Sequence, residues 1–202
     1  MACAVSASAQ SKPSEWSTFY VEYNPVSYNI DIQGADDESM SGFTVGYNHA
    51  FGVTPGTPLF IETGIGIQYA FKGDFQDIND LNFSMLSAKV PVNLMYAFKL
   101  NNSPISIIPY LGATVRFNVS GKFKYDGEDD DDDWNVFDKK DMEDIGLLDG
   151  KAWKRMQLGW QIGIKGRINN NFLVGLSYGK DFGNIAKKVN VSTAAITLGY
   201  CF

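Results

Sequence analysis

Residues 191–202 read VSTAAITLGYCF, and their side chains alternate in character up to the last position. Counting back from Phe202, every second residue is apolar: Tyr200, Leu198, Ile196 and Ala194. The residues between them are small or polar, and a period of two is the pattern of a β-strand whose two faces meet different environments. A closing strand that ends on an outward aromatic is typical of outer-membrane β-barrels, where the ring lies at the membrane interface.

Seven further segments alternate in the same way: 16–31, 42–51, 59–71, 86–98, 107–119, 156–168 and 172–181. Short turns and long loops alternate between them, as in barrels with periplasmic turns and extracellular loops. A change of apolar parity at Asn24-Pro25 predicts a β-bulge. No run approaches the roughly 18 apolar residues of a membrane helix. We therefore predict an all-β, eight-stranded antiparallel up-and-down transmembrane β-barrel.

Alternation alone is compatible with two kinds of barrel: a soluble barrel with its apolar face inside, and a membrane barrel with its apolar face outside. Two features favour the membrane. The polar face is rich in glycine, alanine and serine with isolated charges, which suits a narrow lumen. The aromatic residues of the apolar face gather at the strand ends, as in interfacial girdles. Those predicted at the turn side are Phe19, Phe51, Tyr96, Phe98, Phe172 and Phe202, and those at the loop side are Phe43, Tyr69, Phe71, Phe117 and Tyr178.

Charge is concentrated in one loop. The chain carries a net charge of −6, and residues 126–149 hold 12 acidic residues and 2 lysines, a net of −10. Such self-repulsion predicts that the loop at about 121–154 is extended, mobile and extracellular, with a short helix within 134–148. An acidic surface does not suit a polyanion, and we expect no nucleic-acid partner. The run Asp129, Asp130, Asp131, Asp132 and Asp133 lacks the EF-hand pattern and offers only a weak Ca²⁺ site.

The N-terminus resembles the end of a cleaved leader. Ala7-Ser8-Ala9 before Gln10 fits a signal-peptidase site. We therefore expect residues 1–9 to be the remnant of a signal peptide and residues 10–202 to be one barrel domain. The two cysteines, Cys3 and Cys201, are not expected to form a disulfide.

Charged residues on the inward face predict a lumenal ion-pair network. Buried charges persist when they are paired, and the six candidates are Glu22, Glu62, Lys89, Arg116, Lys165 and Asp181. Arg167 is predicted to lie on the inward face as well. Lys89 and Arg116 are expected to face Asp181 or Glu22. This network would plug the lumen, and the alternative is a path for polar solutes.

Catalytic chemistry has little support in the sequence. His49 is the only histidine, and it is expected to be an interfacial residue beside Phe51. No base has a plausible position for a catalytic triad, and a lone histidine without paired cysteines does not predict zinc. We expect no enzyme activity, no cofactor and no metal.

Four motifs resemble a known family: Ala88–Tyr96 (AKVPVNLMY), Pro109–Ala113 (PYLGA), Gly159–Gly163 (GWQIG) and Leu198–Phe202 (LGYCF). Their order is similar to the outer-membrane β-barrel domain common in Bacteroidetes, the porin-family or PorT-like group. The resemblance implies an eight-stranded barrel and no defined activity or catalytic residue.

The function expected is that of a small integral outer-membrane barrel with a structural or surface-interaction role. A narrow porin-like channel, a secretion accessory and a soluble ligand-binding barrel are the alternatives. The expected partners are the lipid bilayer, lipopolysaccharide and the outer-membrane insertion machinery. That machinery would read Tyr200 and Phe202 as an assembly signal, and the barrel is expected to be monomeric.

Overall fold

The structure, a computed structural model, describes residues 15–31, 37–75, 78, 80–126, 131–146 and 151–202. Strands and one short helix make up the regular structure of these ranges. The elements are β1 (Trp16–Tyr23), β2 (Val26–Ile30), β3 (Glu38–Gly52), β4 (Leu59–Lys72), β5 (Leu81–Tyr96), β6 (Phe98–Lys99), β7 (Ile105–Asp126), β8 (Asp131–Asn135), α1 (Lys139–Ile145), β9 (Met156–Ile168), β10 (Phe172–Asp181) and β11 (Val189–Cys201).

The strands close into a ring of eight. Neighbours pair antiparallel in the order β11, β10, β9, β7, β5, β4 and β3. β1 and β2 run one after the other and pair with both β3 and β11, which closes the sheet. The strands β6 and β8 pair only with β7 and lie off the ring. The predicted antiparallel up-and-down topology is therefore confirmed.

The predicted bulge at Asn24-Pro25 is wrong. Tyr23 pairs with Ile196 and Val26 pairs with Thr193, so the register against β11 continues without a shift. Pro25 merely lacks the N–H that would continue the ladder. The apolar set changes there because the barrel interior changes from polar to apolar, while even-numbered residues point inward throughout.

A bulge occurs instead in β7. The pairing with β5 shifts between Leu86 and Ser87, whose partners are Ser120 and Asn118. Val119 is therefore the extra residue on β7, and the inward set changes from even numbers before it to Gly121 and Phe123 after it. The Arg155 guanidinium caps the bulge, because its Nη1 donates to the Val119 carbonyl at 3.0 Å.

The outward and inward faces agree with the sequence prediction in the middle of the barrel. The wall exposes a continuous apolar belt, and Leu111, Ile162 and Val45 are 61%, 54% and 59% exposed. All eleven predicted girdle aromatics are among its exposed residues. Their ring contacts form one set at each end, such as Phe19 with Phe202 at 5.4 Å and Tyr23 with Phe43 at 5.4 Å.

Towards the long loops the polarity of the wall is reversed. A membrane-crossing β-strand needs roughly 9–11 residues, whereas β5 has 16 and β7 has 22. The residues beyond this length lie at the long-loop end, where polar side chains such as Ser39, Lys122 and Lys124 point outward. An apolar cluster fills the interior at this level and includes Tyr28, Met40, Phe83, Phe123 and Val191. This part of the barrel is built like a water-soluble protein.

The connections also follow the predicted layout. Short turns join β3 to β4, β5 to β7 and β9 to β10, and the last of these contains Asn169 and Asn170 with φ of 52° and 62°. Asparagine tolerates this left-handed conformation. Longer connections lie at the other end. Within the described ranges, no helix has the length and apolar character needed to cross a membrane.

Candidate functional site

The lumen contains a layer of paired charges. Glu62 on β4 accepts from Lys165 Nζ on β9 through both carboxylate oxygens, at 2.5 and 2.8 Å. Arg116 on β7 forms an ion pair with Asp181 on β10. Lys89 Nζ on β5 lies 3.6 Å from the Glu22 carboxylate on β1. All six residues predicted to point inward thus lie in the lumen, and each has a partner of opposite charge.

Neutral side chains extend this layer. Asn93 Nδ2 donates to Glu62 Oε1 at 2.9 Å, and Gln161 Nε2 donates to Asn93 Oδ1 at 2.6 Å. Thr197 Oγ1 donates to Glu22 Oε1 at 3.1 Å. Additional hydrogen bonds such as these to the carboxylates of Glu62 and Glu22 help a buried ion pair to persist in a low-dielectric interior.

Little space remains between these side chains. Two cavities of about 30 and 50 Å³ lie in the lumen, and both are lined by Glu22, Lys89 and Gln161. A single water needs roughly 10–15 Å³ of such volume. The cavities can therefore hold a few water molecules, and they are too small for a hydrated solute.

Apolar clusters seal both ends of the polar layer. At the long-loop end, Val136, Met142 and Trp153 from the connection between β7 and β9 pack on the interior cluster that contains Phe83 and Phe123. The Trp153 ring centre lies 5.3 Å from that of Phe83, and the backbone N–H of Trp153 donates to the Val136 carbonyl at 2.8 Å. At the short-turn end a second cluster contains Trp16, Phe60, Met95, Ile108 and Leu173. This upper seal at the long-loop end was not predicted from the sequence, because Phe123 follows the bulge and Val136, Met142 and Trp153 lie in a loop.

Arg167 differs from the other lumenal cations. It is 4% exposed, and its guanidinium lies 4.1 Å from the centre of the Trp16 ring. Among the described residues no carboxylate pairs with it. A further pair, Glu38 with Lys72, lies near the long-loop end. Glu38 precedes the predicted start of its strand, so the alternation offered no reason to place it inside.

The outer wall carries a small polar cluster at the short-turn end. Ser17 Oγ lies 2.8 Å from Tyr47 Oη and 2.9 Å from His49 Nδ1. His49 contacts Phe51 with ring centres 4.3 Å apart, as expected from the sequence. The sequence indicated no base positioned for a catalytic triad, and the register between β1 and β3 nevertheless brings Ser17 opposite His49. No carboxylate contacts His49 in the described part of the chain.

The acidic loop is more ordered than predicted. β7 extends to Asp126, β8 forms a hairpin with it, and Lys122 pairs with Asp133 at 2.8 Å. α1 begins after Asp138, whose side chain accepts from the Lys140 N–H at 2.8 Å. This part is not the extended chain that was expected, because apolar residues of the loop are buried in the barrel mouth. The expected short helix is present over Lys139–Ile145.

The weak Ca²⁺ site is only partly within the described residues. Asp129 and Asp130 lie outside them, as do residues 1–14 with the expected leader remnant. In the ranges that the structure describes, no group of three or more potential metal ligands comes together. Asp133 is engaged by Lys122.

The two residues of the expected assembly signal lie on the outer wall. Tyr200 packs on Phe172 at 5.9 Å and Phe202 stacks on Phe19 at 5.4 Å. The Phe202 N–H and carbonyl both bond to Ser17, at 3.0 and 2.9 Å. The last residue thus contributes to the seam between β1 and β11. Its recognition by insertion machinery remains a prediction.

Known structures share this fold. Ail, the attachment invasion locus protein of Yersinia pestis, has a TM-score of 0.53 and 16% identity over 94% of this chain and 100% of Ail. Ail in complex with the heparin analogue sucrose octasulfate gives 0.52 and 16% over the same shares. Neisserial surface protein A has a TM-score of 0.47 and 14% identity over 94% of this chain and 98% of that protein. At such identities the likeness concerns the fold alone.

Sequence comparison identifies the family. A search of curated protein sequences finds no relative of this chain. The family profile described as the outer membrane protein beta-barrel domain matches residues 1–202. A closed antiparallel ring, an apolar belt and two aromatic girdles are the features that a protein needs to span the outer membrane with β-strands. The chain therefore belongs to the outer membrane protein β-barrel domain family and is a protein of the bacterial outer membrane.

Proposed function

We propose that this protein is a non-conducting outer-membrane barrel that acts through its long-loop end, in a structural or surface-interaction role. The observation that carries the proposal is the sealed lumen. Two apolar clusters enclose a layer of paired charges whose cavities total only a few water volumes. A narrow channel or a secretion conduit would require all three layers to open.

The hairpin of β7 and β8 together with α1 forms an ordered rim at the barrel mouth, which supports a role in surface interaction. The hairpin of β7 and β8 and the helix α1 are held to the barrel mouth by Val136, Met142 and Trp153. The rim can therefore present a fixed surface without a large ordering cost at binding. Its acidic residues oppose polyanionic ligands, so the heparin analogue seen with Ail is not a guide to the ligand of this chain.

The proposed orientation places the long loops outside the cell and the short turns in the periplasm. The connections Val53–Pro58, Asn101–Pro104 and Asn169–Asn171 carry no charged residue, whereas the charged loops lie at the other end. Bacterial barrels of this kind have short periplasmic turns and longer extracellular loops. The four motifs named above also lead us to place the chain in the Bacteroidetes branch of the family.

A non-enzymatic role is part of the proposal. Ser17 and His49 are hydrogen bonded, yet no carboxylate of the described residues orients the histidine, and the Ser17 backbone N–H is bonded to the Phe202 carbonyl. A serine hydrolase needs both an orienting group and free oxyanion donors. The alternative of a soluble ligand-binding barrel is excluded by the outward apolar belt and by membership of the outer-membrane family.

Two measurements test the proposal. In planar bilayers the purified protein should give no steady conductance, with a known open porin as positive control. In intact cells, a membrane-impermeant maleimide should label Lys140→Cys on α1 and should label Asn102→Cys only after lysis. Cys201 is buried and should remain silent. Steady conductance would support the channel alternative, and labelling of Asn102→Cys in intact cells would reverse the orientation.

A further inference from the structure

The outer wall carries an apolar groove whose floor is backbone. The groove has a volume of about 720 Å³ and runs across β11, β1 and β3 towards β4. Its floor follows a single register row, because Tyr20 pairs with Gly199 on one side and with Gly46 on the other. Residues paired in one row share a face, so Tyr20 and the two glycines all face inward and the row presents only backbone to the outside.

Tyr20 needs these glycines. A Cβ at Gly46 would lie 2.5 Å from the Tyr20 ring, and one at Gly66, the next residue of the same row, would lie 2.6 Å from its hydroxyl. The wall can therefore fold closely around the phenol at this point. A close backbone approach of this kind is a usual reason for glycine inside a strand.

Two rows of side chains form the walls of the groove. On the short-turn side the wall is aromatic and consists of Phe172, Tyr200, Phe19 and Tyr47. On the other side it is aliphatic, with Leu198, Val21 and Val45. The volume falls within the roughly 300–1,000 Å³ of pockets that bind small molecules, and the lining is apolar as in such pockets.

The polar cluster of Ser17, Tyr47 and His49 lies directly behind the aromatic wall of the groove, on its short-turn side. Tyr47 belongs to both, since its ring lines the groove and its hydroxyl contacts Ser17 Oγ. Ser17 is 9% exposed although it faces the lipid side of the wall. Buried polar groups at an apolar surface persist when they have hydrogen-bond partners. An apolar trough bordered on its short-turn side by hydroxyl and imidazole groups matches the chemistry of an amphiphile with an acyl chain and an ester or phosphate.

We propose that this groove binds one glycerophospholipid, with an acyl chain along the trough and its ester or phosphate oxygens hydrogen bonded at the cluster of Ser17, Tyr47 and His49. The groove is continuous with the apolar belt that the membrane covers, which makes lipid the occupant. The choice of phospholipid rests on the proposed orientation, which places the cluster in the periplasmic leaflet.

Native mass spectrometry of the detergent-extracted barrel, with added palmitoyl-oleoyl phosphatidylethanolamine, tests this assignment. Wild type should retain a single lipid adduct through removal of the detergent. Val45→Trp should lose the adduct because the indole fills the trough. The matched control is Val90→Trp, at an outward valine of β5 that does not line the groove. It should retain the lipid, and both variants should refold equally.

A second pair of variants tests the polar cluster. Tyr47→Phe removes only the hydroxyl and should weaken lipid retention roughly two- to tenfold, the value of one hydrogen bond. Tyr69→Phe, in the girdle at the other end, should leave retention unchanged. Equal retention in wild type and Val45→Trp would overturn the proposal, as would a dimer that Val45→Trp dissociates. The maleimide labelling is independent of both readouts, so a reversed orientation is recognised separately from a groove that binds no lipid.

Discussion

Removal of the negative charge of Glu62 should be one of the most destabilising single changes in the lumen. Glu62 and its partner Lys165 are 1% and 7% exposed, and the ammonium contacts both carboxylate oxygens. Glu62→Gln keeps a carbonyl oxygen that can accept from Asn93 Nδ2, so the substitution removes the negative charge and preserves this hydrogen bond. Lys165 would be left buried and unpaired, and breaking a buried pair in this way costs roughly 3–5 kcal/mol.

Urea unfolding in detergent micelles, followed by the gel shift of the heat-modifiable barrel, measures this loss. Asp133→Asn is the matched control, because it breaks the exposed pair with Lys122, whose side chains are 52% and 50% exposed. Such surface pairs are worth about 0–1 kcal/mol. The double variant Glu62→Leu with Lys165→Met should recover most of the loss, since an apolar pair can replace a buried ion pair. The reasoning fails if Glu62→Gln costs no more than Asp133→Asn.

Four further predictions concern the wall, the upper seal, the last residue and the acidic run. Leu111→Arg and Ile162→Arg, at outward positions 61% and 54% exposed, should each cost roughly 2–4 kcal/mol at the bilayer midplane, and near-neutral unfolding energies would refute the face assignment. Trp153→Ala should cost roughly 3–5 kcal/mol by leaving a cavity and should speed proteolysis of the rim, whereas an unchanged cleavage rate would mean that Trp153 does not hold it. Deletion of Phe202 should lower membrane yield in cells far more than yield in refolding, and equal losses would argue against an assembly signal. Calorimetry with Ca²⁺ should give the same heats for wild type and for a variant with Asp129–Asp133 changed to asparagine, and heats that only wild type shows, with Kd of about 10⁻⁴–10⁻³ M, would instead establish the weak site.

Much of the barrel could be predicted from residue order because the membrane imposes a local rule. Every outward residue of a spanning segment meets lipid and every inward residue meets a narrow lumen, so parity alone assigns Leu111 outward and Arg116 inward. The same rule located the girdles and the closing strand at residues 191–202. It also brought the six charged residues to the lumen, since each lies on the inward parity of its strand.

The rule fails where the strands leave the membrane. Above the girdle the wall stands in water, so Val26, Tyr28 and Ile30 are apolar and yet point inward. The parity change that predicted a bulge at Pro25 instead marks the level at which the outside of the wall passes from lipid to water. The bulge at Val119 then reversed the alternation of β7, which made residues 121–126 look like the start of a loop.

Residue order by itself thus determined the strand set, the face of each residue in the spanning zone and the parity of the lumenal charges, because these depend on neighbours two positions apart. Only the closed ring decided which charges meet, since Arg116 and Asp181 are 65 residues apart and Glu62 and Lys165 are 103 apart. The register between β1 and β3 placed Ser17 beside His49 and Tyr20 beside Gly46, and burial at the barrel mouth folded an acidic loop into an apolar seal. These contacts follow from the register between strands and from burial at the barrel mouth, and neither is encoded in a local pattern.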